Sequence, residues 1–277
     1  MTVRALGVYR ESEFSPGKVG ADAAILDAVL AILAAQGVST SATNPAEFIS
    51  DHGPRCALIM AMCQSEAALR CLADAQAAGA LVINSPQAIR SCYRDRLGAV
   101  LKEAGTPVPD GVLVETGAGF DRCAIGRLDP ARGIYVKRGD LHALFEGDVR
   151  RVPDEAALAL VLRDFTARGI RLAYLQQAVE GRVVKFYGVT GTDYFSVADP
   201  DAALAGALLD RLHEAAQTAA KALGLEVWGG DAIVNGAQFK IVDFNDWPSF
   251  ERVRMPAAAA IARRALQRLG EKIESRK

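Results

Sequence analysis

Acid, amide and amine side chains fall at strand positions of this chain where their spacing permits metal-assisted chemistry on a phosphate. The stretch from Trp228 to Asp246 reads as two strand-like runs flanking Asn235-Gly236, a strong hairpin-turn pair. Side chains alternate faces along a strand, so Asp243 and Asn245 share one face of the second run. Pairing across the turn brings Asp231 near them. Two carboxylates and one amide oxygen then converge from rigid elements. Hard oxygen donors that leave room for water and phosphate suit Mg²⁺ when it bridges a nucleotide. The run Val242 to Phe250 puts acids directly after an apolar strand, where a buried carboxylate requires a partner or a metal. Lys185 stands midway along the apolar run Arg182–Thr190, an unusual place for a lysine without an anionic partner.

Positioning these groups requires an α/β framework, and the rest of the chain supplies one. Residues 1–85 alternate strand and helix: Val3–Tyr9, helix Ala21–Gln36 stopped by Gly37, Val38–Ala42, Cys56–Met62, helix Ser65–Ala78 stopped by Gly79, and Leu81–Ile83. Such alternation predicts a parallel sheet with flanking helices, in the manner of a Rossmann-like domain. Asn84-Ser85-Pro86 marks a boundary, and a helix Tyr93–Ala104 follows it. Strands are expected at Val112–Glu115, Ile134–Arg138, Asp148–Val152, Leu172–Val179 and Arg182–Thr190. Helices are expected over Asp154–Arg168, over Asp201–Leu223 and from Pro256 onward. Neither a Gly-x-Gly-x-x-Gly dinucleotide turn nor a Gly-x-x-x-x-Gly-Lys-Ser/Thr P-loop occurs in the chain.

Over about Asn84 to Leu269 the sequence resembles the ATP-grasp superfamily, in which an acid and an Asn on a late strand hold magnesium between ATP phosphates. Gly230–Val253 looks most like the inositol 1,3,4-trisphosphate 5/6-kinases, with Pro248-Ser249-Phe250 in place of Pro-Gly-Tyr. The RimK-like carboxylate–amine ligases share the looser version. The resemblance implies an ATP-grasp domain at 86–277, with a central lid subdomain at about 107–175 and a metal-binding subdomain at about 176–277. Residues 1–85 would then form the N-terminal pre-ATP-grasp domain.

The same resemblance assigns roles. Tyr93-Arg94-Asp95-Arg96 matches the Asp-Lys that opens the central helix, with Arg96 replacing the phosphate-binding lysine. Lys137 corresponds to the strand lysine on the ATP phosphates, and Lys185 to a basic group facing the transferred phosphoryl. Gln177, Ala178 and Val179 form the hinge that binds adenine, and Glu180 holds the ribose hydroxyls. The Gly/Ser-rich loop usual after the second lysine is replaced by the short Arg138–Ala143, in which His142 could reach the γ-phosphate. Asp231, Asp243 and Asn245 are the magnesium ligands.

Two reactions use such a site. In one, ATP phosphorylates a carboxylate and an amine displaces the phosphate. In the other, a polyol or inositol phosphate hydroxyl takes the γ-phosphate. Both rest on positioning and charge neutralisation by Mg²⁺, Lys137 and Lys185. The ligase is favoured as the commonest chemistry on this scaffold. A non-catalytic ATP-binding regulator is a third reading. Arg10, Ser15 and Lys18, after the first strand, and Arg252 and Arg254, after Phe250, are candidate contacts to a small anionic substrate, with Arg252 also a candidate for catalysis.

Net charge −1 provides no overall basic field for nucleic acid. No apolar segment approaches the roughly 18 residues of a membrane span. Five cysteines without Cys-x-x-Cys spacing argue for small core fillers in a reducing compartment, hence a cytoplasmic protein. His52 and His213 read as surface residues. The alanine-rich last helix either packs internally or pairs two chains in a homodimer.

Overall fold

The computed structural model describes residues 3–51, 56–118, 122–141, 145–198, 204 and 206–274. The chain opens with β1 (Arg4–Val8), α1 (Val19–Ala35), β2 (Ser39–Thr43), α2 (Pro45–Ser50), β3 (Leu58–Ala61), α3 (Glu66–Ala77) and β4 (Leu81–Ile83). It continues through α4 (Pro86–Ser91), α5 (Arg94–Glu103), β5 (Gly111–Glu115), α6 (Arg122–Ile125), β6 (Ile134–Arg138), β7 (Val149–Val152), α7 (Glu155–Ala167) and β8 (Leu172–Gln177). It ends with β9 (Arg182–Val189), β10 (Phe195–Val197), α8 (Gly206–Leu223), β11 (Val227–Asn235), β12 (Gln238–Asp246) and α9 (Arg254–Glu274).

Three four-stranded sheets result. The first is parallel, in the order β2-β1-β3-β4, as the strand–helix alternation requires. The second and third are antiparallel, ordered β5-β8-β6-β7 and β10-β9-β11-β12. Alternation of faces is visible in β5, where Val112 and Val114 pack on a core containing Phe165 while their neighbours are exposed.

Several short elements differ from the sequence reading. Helices α2 and α4 are only six residues each, too short for a 3.6-residue period to register. Their start signals are nonetheless present: Asn44 accepts from Glu47 N at 2.9 Å and Ser85 from Ala88 N at 3.1 Å, each with proline next in sequence. β10 was not foreseen either. β8 ends at Gln177, two residues before the expected Val179, because the chain turns into the hinge. Helix α9 begins at Arg254, and α8 is described from Gly206, with residues 201–203 and 205 outside the described set.

Helix α9 packs inside the chain. Its buried Ala257, Ala258, Ile261, Ala262 and Ala265 join Ile25, Val29 and Leu33 of α1 and Tyr187 and Val189 of β9 in one core. Small residues allow the two helices to approach closely against the first sheet. Asn84, fully buried, fastens the first sheet to the third: its Nδ2 donates to Val227 O at 2.7 Å, and its Oδ1 accepts from Glu226 N and Val227 N at 2.8 and 2.9 Å. The expected boundary at Asn84 is therefore also a clamp. Among the described residues no helix is long and apolar enough to cross a membrane.

Candidate functional site

Strands β9, β11 and β12 put three charged side chains in one row. Asp231 is the register partner of Lys185 on one side and of Asp243 on the other. Lys185 Nζ donates to Asp231 Oδ1 at 2.8 Å. The row rests on an aromatic layer: Phe186 and Phe244 lie 5.6 Å apart, as do Trp228 and Phe244. Gly230 lets the strands close over it, since a Cβ there would stand 2.4 Å from Asp243 O and 2.6 Å from the Phe186 ring.

The hairpin joining β11 and β12 turns at Gly236-Ala237, one residue later than the expected Asn235-Gly236, with Gly236 at φ 58°. Its register slips after Asp231, so that Ala232 pairs with Ile241 and Val242 is left over as a bulge. The bulge matters to the site. Val242 O, freed from the ladder, accepts from Lys137 Nζ at 3.0 Å and from Gln176 Nε2 at 3.4 Å. The second sheet thereby docks its lysine beside the acids of the third.

Lys137 is buried, and burial pulls its ammonium down to about 8. The Arg94 charge adds to that fall, while Asp243 and Asp231 oppose it. Burial also raises the Asp231 carboxyl, with Lys185 opposing and Asp243 adding. At Lys185 burial alone would lower the ammonium; the hydrogen bond and charge of Asp231 outweigh it and raise it.

The fit of a magnesium ion follows from the donor set. Asp231 and Asp243 face each other across one register position, and the Asp243 charge raises the Asp231 carboxyl. Asn245 follows on the same face, supplying a neutral oxygen. Among the described residues no three His, Cys, Asp or Glu side chains gather to hold a metal, so the set depends on Asn245 as its third member. Hard oxygens of this kind suit Mg²⁺.

Two spaces meet at this row. On one side a narrow cleft is lined by Arg94, Lys137, Tyr174, Gln176, Val242 and Asp243, and beyond it a cavity of about 760 Å³ is lined by Gln177, Ala178, Val179, Glu180, Ile233 and Lys240. On the other side a cavity of about 300 Å³ is lined by Arg10, Ser15, Lys18, Lys185, Asp231 and Asn245. The candidates after β1 thus stand with Lys185 at one cavity.

Arg96 is not in the site. It is exposed and faces Asp95 at 3.9 Å. Arg94 takes the inward place: it is 6% exposed, its Nη2 lies 3.9 Å from Asp243 Oδ2, and its Nε has no hydrogen-bond partner. The phase of α5 gives the reason, because Arg94, Leu97 and Leu101 share the buried face and Arg96 the opposite one.

Other expectations fare variously. At the hinge the N–H groups of Gln177 and Ala178 already donate to Asp110 O and Gly133 O, and the Gln177 amide is held by Asp129 and Gly133. An incoming edge would therefore meet Val179. Arg252 is exposed, and Arg254 is half-buried with an unpartnered Nε; neither lines a cavity described above. His142 and His52 lie outside the described residues. His213 is half-buried and stacks on Phe195 at 4.3 Å, and Cys123 is exposed rather than a core filler.

No family model matches the chain, and no curated protein matches it in sequence. Solved structures do. The D-alanine–D-alanine ligase of Bacillus anthracis superposes with a TM-score of 0.73 over 98% of this chain and 100% of its own, at 11% identity. The VanG D-Ala:D-Ser ligase of Enterococcus faecalis gives 0.73 over 97% and 100%, at 12% identity. A RimK domain ATP-grasp protein of Sphaerobacter thermophilus gives 0.70 over 95% and 99%, at 18% identity. The chain has the ATP-grasp fold. Identities this low carry architecture alone, so the chemistry of this ATP-grasp chain is argued from its own residues.

Proposed function

We propose that the protein is an Mg-ATP-dependent ligase that activates a small carboxylate as an acyl phosphate and joins it to an amine. The observation that carries this reading is the row Lys185–Asp231–Asp243, placed between a cleft with Lys137 and Arg94 and a separate small cavity. ATP phosphates would enter on the Lys137 and Arg94 side, with the base toward Val179 and the ribose toward Glu180. Asp231, Asp243 and Asn245 would hold magnesium, which supplies charge neutralisation on the phosphates when bound.

Lys185 stands at the cavity side of the acids, where a carboxylate oxygen would meet the γ-phosphorus. That oxygen forms the new P–O bond, the bond to the β-phosphate oxygen breaks, and ADP leaves. An amine then forms the C–N bond, the C–O bond to phosphate breaks, and the amine proton leaves to solvent. The protein's part is to orient the groups and neutralise charge.

The kinase reading requires a cavity rich in unpaired cations for a phosphorylated polyol. Here Lys185 is paired with Asp231, and Arg10 is engaged by Met62 O, Asp22, Asp246 O and Trp247 O, leaving exposed Lys18 at the rim. That favours the ligase. The experiment is ADP release from Mg-ATP across a metabolite panel, with hydroxylamine as the amine trap. Hydroxamate formation supports the ligase; a phosphorylated polyol without hydroxamate supports the kinase. Tight Mg-ATP binding with no turnover on any mixture favours a regulator.

A further inference from the structure

We propose that Leu141 and Asp148 are positioning residues for ATP, fixing the chain at Arg138–Leu141 so that its carbonyls hold Arg94 at the cleft. This rests on the reading that ATP phosphates enter on the Lys137 and Arg94 side. Among the described residues, three oxygens stand round the Arg94 guanidinium. Its Nη1 donates to Arg138 O at 3.5 Å and to Leu141 O at 3.4 Å, and its Nη2 lies 3.9 Å from Asp243 Oδ2. Two of the three belong to one short segment, which follows Lys137 directly. Both bonds are long, so a small shift of that segment would release the arginine.

The segment is fastened at several points. Gly139 N donates to Leu172 O at the start of β8, at 2.7 Å. The Arg138 side chain grips Asp140 with two bonds, of 2.7 and 2.9 Å, and reaches Asp148 Oδ2 at 3.5 Å. The same Asp148 oxygen accepts from Phe145 N at 3.2 Å, and Asp148 Oδ1 accepts from Arg168, which follows α7. One fully buried carboxylate thus ties both sides of the segment to the body of the second sheet. Asp140 and Asp164 give the two arginines their second partners, so the charges balance. Leu141 packs on the core of the first sheet, in the cluster that contains Phe48, Leu69 and Tyr93. Tyr93 is also the residue that opens α5 ahead of Arg94, so one core places both the arginine and its acceptors.

Such a hold is needed because the cleft itself repels the arginine. Arg94 and Lys137 line it together, and the charge of Arg94 pulls the Lys137 ammonium down. A guanidinium buried beside another cation, with its Nε unpartnered, gains by swinging out to water. The carbonyls of Arg138 and Leu141 keep it in until anionic phosphates relieve the repulsion.

The test compares Leu141→Ala and Asp148→Asn with the wild type, with Arg94→Ala and with the two double variants. Phenylglyoxal labelling, read site by site by mass spectrometry, reports whether Arg94 has left the cleft, and exposed Arg96 serves as the internal standard. Arg94 should be protected in the wild type and labelled about tenfold faster or more in each variant, as local opening requires. The KM for ATP should rise about threefold to tenfold, the worth of one lost hydrogen bond, with kcat within about twofold. In the Arg94→Ala background the same substitutions should leave the KM where it is. A merely structural role would lower stability and leave the effects additive with Arg94→Ala. Should Asp148→Asn not fold, Leu141→Ala, at a half-buried site, carries the test.

Arg94 still protected in the folded variants, Arg94 already labelled in the wild type, or equal losses with and without Arg94 would overturn the inference. Exposure of Arg94 in the variants of a protein that binds no Mg-ATP leaves the hold on Arg94 standing and removes the nucleotide reading. ADP release and hydroxamate at the wild-type KM while Arg94 is exposed do the reverse.

Discussion

Lys185 Nζ and Asp231 Oδ1 lie 2.8 Å apart across the β9–β11 register, and Asp231 is also the strand partner of Asp243. One carboxylate thus stands between the lysine beside it and, on the proposed reading, a metal that it would hold with Asp243. Lys185 offsets a charge at Asp231 that burial disfavours. On that reading a metal would compete with the lysine for the same carboxylate, and the competition can be measured.

Replacing Lys185 with Met should tighten Mg²⁺ binding while slowing turnover. The ion pair is half-exposed and weak, so the gain in metal affinity should be modest, roughly threefold to tenfold. The loss in turnover should be larger, about a hundredfold, because on the proposed reading the ammonium would neutralise charge where phosphoryl transfer occurs. Metal titration by calorimetry and steady-state rates read the two effects separately. Unchanged or weaker Mg²⁺ binding in K185M would remove the competition.

Asp243→Ala should abolish turnover without unfolding the protein. Asp243 is short and only partly buried on β12, its side chain 22% exposed, so its removal leaves little cavity, whereas loss of a metal ligand lowers rate by about a thousandfold or more. Circular dichroism should be unchanged, and chelation of the wild type should reproduce the loss. Turnover within tenfold of wild type would argue against a metal at this row.

The pH response should follow Lys137. With no nucleotide its ammonium titrates near 8, since burial and Arg94 lower it. Bound phosphates must raise it, so binding takes up a proton above pH 8. ATP affinity should therefore be nearly flat below pH 7 and fall as pH rises through 8, by at most about tenfold per unit. Calorimetry in buffers of different ionisation enthalpy should detect that uptake at pH 8.5. Lys137→Arg, which keeps its proton, should flatten the profile even if its affinity is lower.

What the sequence disclosed and what it hid divide along physical lines. That Asp243 and Asn245 share a face was legible because alternation along a strand is a local rule, whereas the exact pairing of Asp231 with Asp243 also needs the turn at Gly236-Ala237 and the bulge at Val242. Lys137 was named through a family likeness, and its burial against Val242 O is what the structure adds. Arg94 was not legible, because Arg94 and Arg96 flank the same Asp95 and only the burial of Leu97 and Leu101 on one helix face separates them. Asp22 reads in sequence as an ordinary acid in a helix's first turn, and Asp246 as a polar strand end. Their common partner exists only after α1 and β12 come together at Arg10. Gln176 belongs to the site through the bulge at Val242, a one-residue slip that no pattern announces.

Arg94→Ala and Arg96→Ala should part company sharply. Arg94 is buried with an unpartnered Nε and faces the cleft that also holds Lys137, so its loss should raise the KM for ATP roughly tenfold to a hundredfold. Arg96 is exposed on the opposite side, and its loss should leave kinetics within about twofold, as surface changes do. Removing Arg94 also leaves Lys137 with less repulsion, so the Lys137 titration should move upward in that variant. A kinetic effect confined to Arg96 would reverse the assignment.

Two glycine substitutions separate the architecture of the third sheet from its chemistry. A Cβ at Gly188 would stand 2.2 Å from the Trp228 ring, and one at Gly230 would stand 2.4 Å from Asp243 O and 2.6 Å from Phe186. Both crowd a packed interior, so each Ala variant should lose about 1–3 kcal/mol in chemical denaturation. Only Gly230→Ala presses on the main chain that carries Asp243. It should therefore weaken Mg²⁺ binding and turnover beyond what its lost stability explains. Gly188→Ala, meeting a ring on the far side of the strand, should keep normal kinetics at temperatures where it remains folded. Equal catalytic damage in the two variants would mean that the row is held by the sheet as a whole rather than by the close approach at Gly230.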